Sequence, residues 1–489
     1  GFILIKSRTS GGWRVWHSHL SSGKELRLDD ASSEYIPVPI NFSSAPTSTN
    51  CVVNGDNNTA GYAYVAYLFA HDTSADGFIT CGSFTTDGGG NATVNLGWEP
   101  QYVLYKTSTS GTQNWKIFDT ARNYTNSSSV DPTLYPNTSG AESAIDNYGN
   151  PTATGFNVVN EQALQTHIYL AIRRPNKPPT TGTEVYNAIA RTGTGAAATV
   201  TAGYPVDLVI TKKRSSTTLT GARFTDRLRG KTNWLDSTAT TAETTTADTV
   251  TGLDSMTGVV LGADATTSAF NTNTHTYVNH FFKRSPGFMD VVCYTGTGVA
   301  RTVPHSLGVA PELMILKKRN SSGGWPVYHS STGITGSHVL YLNLTNGTGT
   351  GSTYWTAQPQ MGVFTVGSDT DVNASATSYV AYLFASLPGI SKVGSYTGNG
   401  TTQTINCGFT TGARFILIKR TDSTGNWIIA DSTRGILSSA DPALYLNSTA
   451  AEVTGVDWVD PNIVGFDIIQ EGTMNANVNG ASYIFMAIA

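Results

Sequence analysis

Charged side chains are scarce in this 489-residue chain, because Asp, Glu, Lys and Arg make up only 13% of it. The usual share is roughly 25%. The formal net charge is -4, and no run of Lys and Arg is longer than a triplet. A nucleic-acid partner would require a concentrated basic face, so we expect none. No apolar run approaches the roughly 18 residues of a membrane-spanning helix, so we expect no membrane partner either.

The chain also lacks the residue patterns that usually mark catalysis or metal binding. It contains neither a CxxC pair nor an HExxH motif, and no two carboxylates are singled out by their spacing. A nucleophile elbow in a strand–turn–helix setting is not found. We therefore predict a non-enzymatic protein with no catalytic residue, no metal site and no cofactor. The four cysteines are predicted to be small buried side chains of a reduced protein: Cys51, Cys81, Cys293 and Cys407.

Gly, Thr, Ser and Asn are abundant where charged residues are scarce. Gly and Asn supply turn geometry, and Thr favours strands, so this composition is typical of many short strands joined by turns. It is unlike a helical bundle, which is rich in Ala, Glu, Lys and Leu. The chain is 39% hydrophobic and 10% aromatic, which is enough apolar material for packed cores and excludes a disordered chain.

A strand that ends in lysine recurs along the chain with a period of 100 to 106 residues. It reads FILIK at both Phe2–Lys6 and Phe415–Lys419, and YVLYK, LVITK and LMILK in between. The five lysines are Lys6, Lys106, Lys212, Lys317 and Lys419, and each is followed by an aromatic residue, namely Trp16, Trp115, Phe224, Trp325 and Trp427. A closing strand such as YVAYLFA keeps the same period at Tyr64, Tyr169, Tyr277, Tyr379 and Tyr483. Two markers in step indicate a structural repeat.

Each period offers about seven short strands, which is typical of a β-sandwich. The predicted fold is all-β: a tandem array of about five antiparallel β-sandwich repeats of the jelly-roll or lectin-like kind, each closing its own core and touching its neighbours only at the edges. We name them module 1 (residues 1–75), module 2 (76–176), module 3 (177–284), module 4 (285–387) and module 5 (388–489). Modules 1 and 4 are of one type, modules 2 and 5 of a second, and module 3 is divergent. Module 1 begins at its lysine-ending strand without opening strands, so we expect a fragment of a longer chain, or opening strands that are disordered or cleaved.

Several stretches resemble a repeat family of tailed-bacteriophage structural proteins, described as tail fibres or other tail appendages with lectin-like (concanavalin- or laminin-G-like) β-sandwich repeats. The resemblance rests on segments such as "KVGSYTGNGTTQTINCGF", "RFILIKRTDSTGNWIIADSTRG" and "YIFMAIA". It covers nearly the whole chain and is strongest over modules 4 and 5. It implies a virion component assembled in the host cytoplasm, and it implies no catalytic or binding residue.

An Asp-x-x-Arg pattern occurs at Asp119/Arg122, Asp226/Arg229 and Asp431/Arg434, whereas His17 and His329 take the aspartate position in modules 1 and 4. Since a catalytic residue would not alternate in this way, we interpret the pattern as locking a turn. The alternate oxygens of Asp369, Asp371 and Asn373 suggest a calcium loop, but the remainder of that motif is absent, and a solvated turn is the favoured interpretation.

Three aromatic residues fall in loops outside the repeated strands: Tyr354, Trp355 and Trp458. A ring in a loop can stack on a sugar, so these three are the candidate ligand-binding residues; the alternative is packing against a neighbouring repeat or subunit. The predicted function is a phage tail fibre or appendage that presents loops to host-surface glycans. Its expected partners are copies of itself, as a homotrimer, and other phage structural proteins. The alternatives are a scaffold of tail or capsid without ligand, a polysaccharide depolymerase, and a bacterial surface adhesin.

Overall fold

The computed structural model describes residues 1–74, 77–109, 111–122, 124–126, 131–143, 145–174, 177–215, 220–253, 255–265, 267–332, 338–350 and 353–489. In this part the fold is all-β, as the sequence predicts. One four-residue α-helix and three 3-10 turns accompany 36 strands, and the paired strands run antiparallel. The chain divides into two compact units, unit 1 (Gly1–Asn176) and unit 2 (Lys177–Ala489).

Unit 1 contains modules 1 and 2. The strands of module 1 are β1 (Phe2–Ser7), β2 (Trp13–His17), β3 (Leu26–Arg27) and β4 (Tyr64–Phe69). They form one sheet in the order β3-β2-β1-β4. The strands of module 2 are β5 (Ile79–Thr85), β6 (Ala92–Asn95), β7 (Pro100–Thr107), β8 (Lys116–Asp119), β9 (Gly149–Thr152), β10 (Gly155–Val158) and β11 (Thr166–Arg173). They form the sheets β5-β11-β7-β8 and β6-β10-β9. The 3-10 turns of this unit are Gly55–Asn57 and Thr120–Arg122.

Unit 2 contains modules 3, 4 and 5, and no sheet of the described chain crosses from one module to another. Module 3 has a 3-10 turn at Gly182–Glu184 and the strands β12 (Tyr186–Thr192), β13 (Ala198–Thr201), β14 (Leu208–Lys213), β15 (Arg223–Asp226), β16 (Asn233–Asp236), β17 (Thr244–Thr245), β18 (Val250–Gly252), β19 (Gly258–Leu261) and β20 (Thr276–Phe282). Module 4 has β21 (Met289–Thr295), β22 (Arg301–Pro304), β23 (Leu313–Lys318), β24 (Pro326–His329), β25 (His338–Tyr341), β26 (Gly349–Thr350), β27 (Val363–Val366), α1 (Thr370–Asn373) and β28 (Ser378–Phe384). Module 5 has β29 (Ser391–Thr397), β30 (Gln403–Asn406), β31 (Phe415–Arg420), β32 (Trp427–Asp431), β33 (Leu444–Tyr445), β34 (Val459–Asn462), β35 (Gly465–Ile468) and β36 (Ser482–Ile488).

The lysine-ending strands are apolar at nearly every position because both of their faces are buried. In β31, Phe415 and Leu417 pack into one core, while Ile416 and Ile418 pack into another on the opposite side of the sheet. Successive side chains of a strand point to opposite faces, so an uninterrupted apolar run is what a doubly covered strand requires. Lys419 lies on the face of Phe415 and Leu417.

One of these two cores is shared by three modules, which corrects the expectation that neighbouring modules touch only at their edges. Module 3 and module 5 each have a core of their own between their two sheets. The larger core runs continuously from Val185 in module 3, through Leu313 and Trp325 in module 4, to Ile488 in module 5. The large sheets of the three modules therefore pack against one another inside unit 2.

Strand register confirms the five lysines as equivalent positions but corrects three other repeat markers. Trp115 and Trp427 lie opposite the lysine of their module, and in module 1 the residue opposite Lys6 is Trp13 rather than Trp16. In module 3 the same position falls to Ala222, since Phe224 lies opposite Ile210. In the closing strand of module 2, the position that the repeated tyrosine has in the other modules is occupied by His167, two residues before Tyr169.

Candidate functional site at the module junctions

Three of the repeated lysines join the modules of unit 2 to one another. The Lys317 ammonium donates to the Thr240 carbonyl of module 3 at 3.0 Å, and the Lys419 ammonium donates to the Thr345 carbonyl of module 4 at 3.1 Å. The Lys212 ammonium in module 3 donates to the Ser448 carbonyl of module 5 at 2.6 Å. The junctions therefore close a ring in unit 2, in which module 4 contacts module 3, module 5 contacts module 4, and module 3 contacts module 5.

Lys106 in unit 1 makes the same contact, donating to the Ala31 carbonyl of module 1 at 3.1 Å. Burial lowers the pKa of the four junction lysines to about 8, at Lys106, Lys212, Lys317 and Lys419. Two carbonyl acceptors meet each of these ammonium groups, so their hydrogen-bonding capacity is largely satisfied despite the burial. Their role is to bind backbone.

The tryptophans opposite these lysines make a second repeated contact. The Trp325 indole N–H donates to the Asp236 carbonyl of module 3 at 3.0 Å, and Trp427 donates to the Tyr341 carbonyl of module 4 at 2.9 Å. In unit 1, Trp115 donates to the Arg27 carbonyl of module 1 at 2.7 Å. All three side chains are at most 1% exposed. Each ring therefore fills a junction while its one polar atom is satisfied by the neighbouring module.

The Asp-x-x-Arg pattern forms the third element, and it does more than lock a turn. In module 3, Arg229 Nε binds Asp226 at 2.5 Å and Arg229 Nη1 binds Glu243 at 2.6 Å. From module 4, the Tyr382 hydroxyl donates to Asp226 at 2.8 Å, and Arg319 pairs with Glu243 at 3.2 Å. We call such an Asp, Arg and Glu set a junction cluster. Burial opposes the arginine's charge, but the two carboxylates outweigh it and hold the pKa of Arg229 well above its ordinary value.

Module 5 carries a second junction cluster, formed by Asp431, Arg434 and Glu452 and covered by module 3. Arg434 binds Asp431 at 2.5 Å and Glu452 at 3.0 Å. Arg214 of module 3 pairs with Glu452 at 2.8 Å, and the His280 Nε2 atom lies 3.8 Å from Asp431. Burial raises the pKa of Asp431, but Arg434 and His280 lower it by more, so the carboxyl stays ionised.

Register explains why aspartate and histidine alternate in the slot that the sequence singled out. The residue that varies between aspartate and histidine is paired with one position in the closing strand of the neighbouring module, and that position also varies. For Asp226 and Asp431, the closing-strand residues of the neighbouring module are Tyr382 and His280, which carry polar hydrogens. For His329 and His17, the residues at the same closing-strand position are Met486 and Leu170, which are apolar. The slot and its partner change together, which is the pattern of a complementary interface.

One family model, described as "Domain of unknown function (DUF7483)", matches residues 1–173 and 181–489. The chain belongs to this family. No curated protein matches the DUF7483 chain, and no solved structure does.

The structure places two of the three candidate ligand-binding aromatics of the DUF7483 chain in its interior. Trp355 is 2% exposed, donates its indole N–H to the His338 carbonyl, and packs edge-on against Tyr328. Trp458 is fully buried in the core of module 5. Neither ring presents a face to a sugar, so the expectation of loop-exposed indoles is corrected. Tyr354 is partly exposed and contacts the Tyr341 hydroxyl, and its ligand binding stays a prediction.

Polar grooves of the DUF7483 chain were not found by sequence reasoning. In module 2 a groove of about 860 Å³ lies between β5 and the β6/β10 sheet, lined by Phe84, Asp87, Asn91, Thr93, Asn157 and others. A groove of about 530 Å³ lies along the equivalent strands of module 5 and extends to module 4; its lining includes Lys392, Ser395 and Thr404 of module 5 and Glu312 and Ser330 of module 4. Each is lined by a single carboxylate, Asp87 and Glu312 respectively, whereas glycoside hydrolysis generally uses a pair.

The part of the DUF7483 chain that is described contains no group of three or more His, Cys, Asp or Glu side chains that could hold a metal ion. The suggested calcium loop is a capped turn, because the Asp369 carboxylate accepts from the Asp371 amide at 2.7 Å, and Asp371 pairs with Lys318 at 3.3 Å. Among the described residues, no helix has the length and apolar character that crossing a membrane requires.

Acid is expected to weaken the junction between modules 3 and 5 through His280. Burial lowers the pKa of His280 to about 4, with Asp431 raising it and Arg434 lowering it. Since the pKa of an unfolded histidine is about 6.5, the unfolded state binds more protons between about pH 4 and 6.5. This contribution to stability is therefore complete above pH 6.5 and is lost as the pH falls towards 4, by roughly 3 kcal/mol. Peptide-resolved urea denaturation of unit 2 at pH 7 and pH 4.5 measures it.

A matched variant separates this effect from general acid denaturation. His280→Gln removes this titration and should lessen the fall in stability between pH 6.5 and 4.5, although it lowers stability at pH 7. Part of the fall remains, because burial also lowers the pKa of His329 in unit 2 to about 4. His275→Gln replaces a partly exposed histidine one residue before the same strand and should leave the fall unchanged. An equally steep fall in all three proteins would contradict the assignment to His280.

Proposed function

We propose that this chain is a non-enzymatic structural component of a tailed-bacteriophage particle, in the tail or another external appendage. The observation that carries the proposal is the construction of the junctions. Every junction of unit 2 combines a buried lysine with a repeated backbone contact, and two of the three add an ion-paired junction cluster. A shared core and matched interfaces make a rigid block, which suits a load-bearing role. The phage assignment is supported by the resemblance of modules 4 and 5 to tail-appendage repeats.

Particle composition tests this proposal. Mass spectrometry of purified particles of a phage that encodes the chain should find it in several copies per particle, after washing in salt high enough to remove adsorbed proteins. Copies recovered as a symmetric oligomer from disrupted particles would support the expected self-association. Absence of the chain from washed particles, with abundant chain in the lysate, would refute the structural role.

A second candidate function, attachment to host-surface glycans, is favoured by the polar grooves of modules 2 and 5. Their amide and hydroxyl side chains can hydrogen-bond sugar hydroxyls, and Phe84 is a partly exposed ring at the edge of the first groove. Many copies on one particle would raise a weak single contact to useful avidity.

Glycan arrays of bacterial surface polysaccharides test the attachment role with the intact chain. If the module 2 groove binds, Asn157→Leu should abolish the signal, because the leucine removes an amide and fills the groove. Asn95→Leu is the control, since Asn95 is an exposed residue of β6 that is not among the residues of the groove. Silence of the unmodified protein across the array favours the scaffold function alone.

A further inference from the structure

The closing strands of modules 1 and 4 have the same sequence, YVAYLF, but opposite surroundings. In module 4, Tyr382 is fully buried, and its hydroxyl contacts Asp226 and Arg229 of module 3. In module 1 the equivalent residue, Tyr67, is 49% exposed. The strand as a whole follows this difference, because β28 is buried after its first residue whereas the middle of β4 is exposed.

The other two junction elements of module 1 are present and similarly uncovered. Trp13 occupies the position of Trp325 and is only partly buried against Tyr67. Arg8 follows Lys6 by two residues, as Arg319 follows Lys317. Arg319 pairs with Glu243 of module 3, but Arg8 is exposed and has no ion-pair partner among the described residues. Module 1 thus presents a complete joining surface that the described residues leave partly exposed.

Module 2 presents the complementary surface, also uncovered. Its junction cluster has the same internal geometry as that of module 5, because Arg122 binds Asp119 and Glu142 at 2.7 Å each. In module 5 the side chains of the cluster are 0%, 0% and 8% exposed, at Asp431, Arg434 and Glu452. In module 2 the corresponding values are 23%, 23% and 38% at Asp119, Arg122 and Glu142. Among the described residues, no module covers this cluster in the way that module 3 covers the cluster of module 5.

The residue types on these two surfaces specify what fits them. Tyr67 requires a neighbour with an aspartate slot, since tyrosine follows aspartate at the junction of modules 3 and 4. Arg8 requires a glutamate in the position of Glu243. The module 2 cluster requires an arginine and a polar closing-strand residue, the roles of Arg214 and His280. Module 3 carries all four features, namely Asp226, Glu243, Arg214 and His280. Modules 1 and 4 have a histidine in place of the aspartate.

We propose that the open surfaces of modules 1 and 2 bind one β-sandwich module of the module 3 type. Such a module would carry an Asp-x-x-Arg pair with its glutamate on one side, and an arginine with a histidine or tyrosine on the other. Its docking completes a ring of three modules like the ring in unit 2. A second copy of this chain does not provide this occupant, because its module 3 is enclosed by its own modules 4 and 5.

The test supplies the occupant at high effective concentration by fusion. Because Phe2 corresponds to Leu313 in strand register, a second copy of residues 177–311 can be joined ahead of Gly1 in register. This addition supplies module 3 together with β21 and β22, the opening strands of module 4. In module 4, β21 pairs with the closing strand β28. The matched control is the same chain with only residues 285–311 added, which supplies the strands without the module.

Tyrosine nitration, read by mass spectrometry, reports the docking. Tyr67 should react readily in the 489-residue chain and in the strand-only control, and about tenfold or more slowly in the chain with the added module. Tyr62, which is 43% exposed in unit 1, should stay reactive in all three proteins, and Tyr382 should stay protected. In the same experiment Arg8→Ala should restore part of the Tyr67 reactivity.

Two results would overturn the proposal. One is a Tyr67 reactivity equal to that of the strand-only control. The other is an added module that is digested by protease while unit 2 stays intact. Module 3 completes its apolar surface against neighbouring modules, so an added copy that remains unfolded has not found the surface proposed for it. Protection of Tyr67 in the strand-only control would show that the uncovered surface needs an opening strand and no module.

Discussion

Arg229→Met lowers the free energy of unfolding of unit 2 by about 3–5 kcal/mol, since it removes the cation that bridges the buried Asp226 carboxylate and the partly exposed Glu243 carboxylate of a junction cluster. Arg229 is fully buried, binds Asp226 and Glu243, and donates to the Phe224 carbonyl at 2.8 Å. Methionine preserves much of the side-chain volume, so the loss is chiefly electrostatic. Asp226 would retain the Tyr382 hydroxyl but lose its counter-ion. Peptide-resolved urea denaturation of the intact chain provides the measurement.

Arg122→Met is the matched control, because it removes the same arginine from the same cluster in module 2. There the three side chains reach solvent, and exposed ion pairs contribute only about 0–1 kcal/mol. The two substitutions share chemistry and internal geometry and differ in whether another module covers the cluster. Equal losses in unit 1 and unit 2 would show that the cluster acts within its own module and that coverage by a neighbour has no effect.

Trp325→Ala is the second substitution with a large expected effect, about 3–5 kcal/mol in unit 2. The ring lies in the shared core, packs at a tilt of 53° with its centroid 5.1 Å from that of Phe224 of module 3, and donates its N–H across the junction. Alanine leaves a cavity between two modules and removes the indole donor from two carbonyls, those of Asp236 and Ala239. The Asp236 carbonyl keeps the Ala239 amide as a donor. Native hydrogen exchange of β16 and β24 should show the junction opening together with the core.

Trp13→Ala is the counterpart in module 1, which is of the same type as module 4. Trp13 is only partly buried and contacts Tyr67, so we expect a loss of roughly 1 kcal/mol in unit 1. A loss at Trp13 as large as that at Trp325 would mean that the module 1 surface is already covered. The same pair of variants therefore also bears on the proposed docking of a further module.

The sequence predicts the local structure well because strand formation and turns are encoded locally. The lysine-ending strands lie where the repeat places them, and the five lysines are equivalent. The neighbouring markers are shifted where more than one residue satisfies the pattern. WRVWH offers both Trp13 and Trp16, and only pairing with Lys6 distinguishes them. Ala222 in module 3 leaves no aromatic residue at the position, so Phe224 was chosen in its place.

The junctions were harder to predict because nothing local shows what covers the second face of a strand. FILI at Phe415–Ile418 indicates burial on both sides, and this pattern is equally compatible with a neighbouring module, a loop or a partner chain. The alternation of Asp431 and His329 was visible, but its meaning depends on His280 and Met486, which align only once strand register is known. Trp355 and Trp458 were placed in loops correctly, but a loop can fold over the end of a sandwich and bury its ring.

The core shared by modules 3, 4 and 5 also determines how unit 2 responds to mechanical load. In a string of independent domains, tension ruptures one domain at a time, and each rupture lengthens the string while the others hold. Here, pulling away one module strips apolar cover from the other two, so the remaining pair is weakened at the same moment. Unit 2 should therefore bear force as a single stiff body and give way in one step.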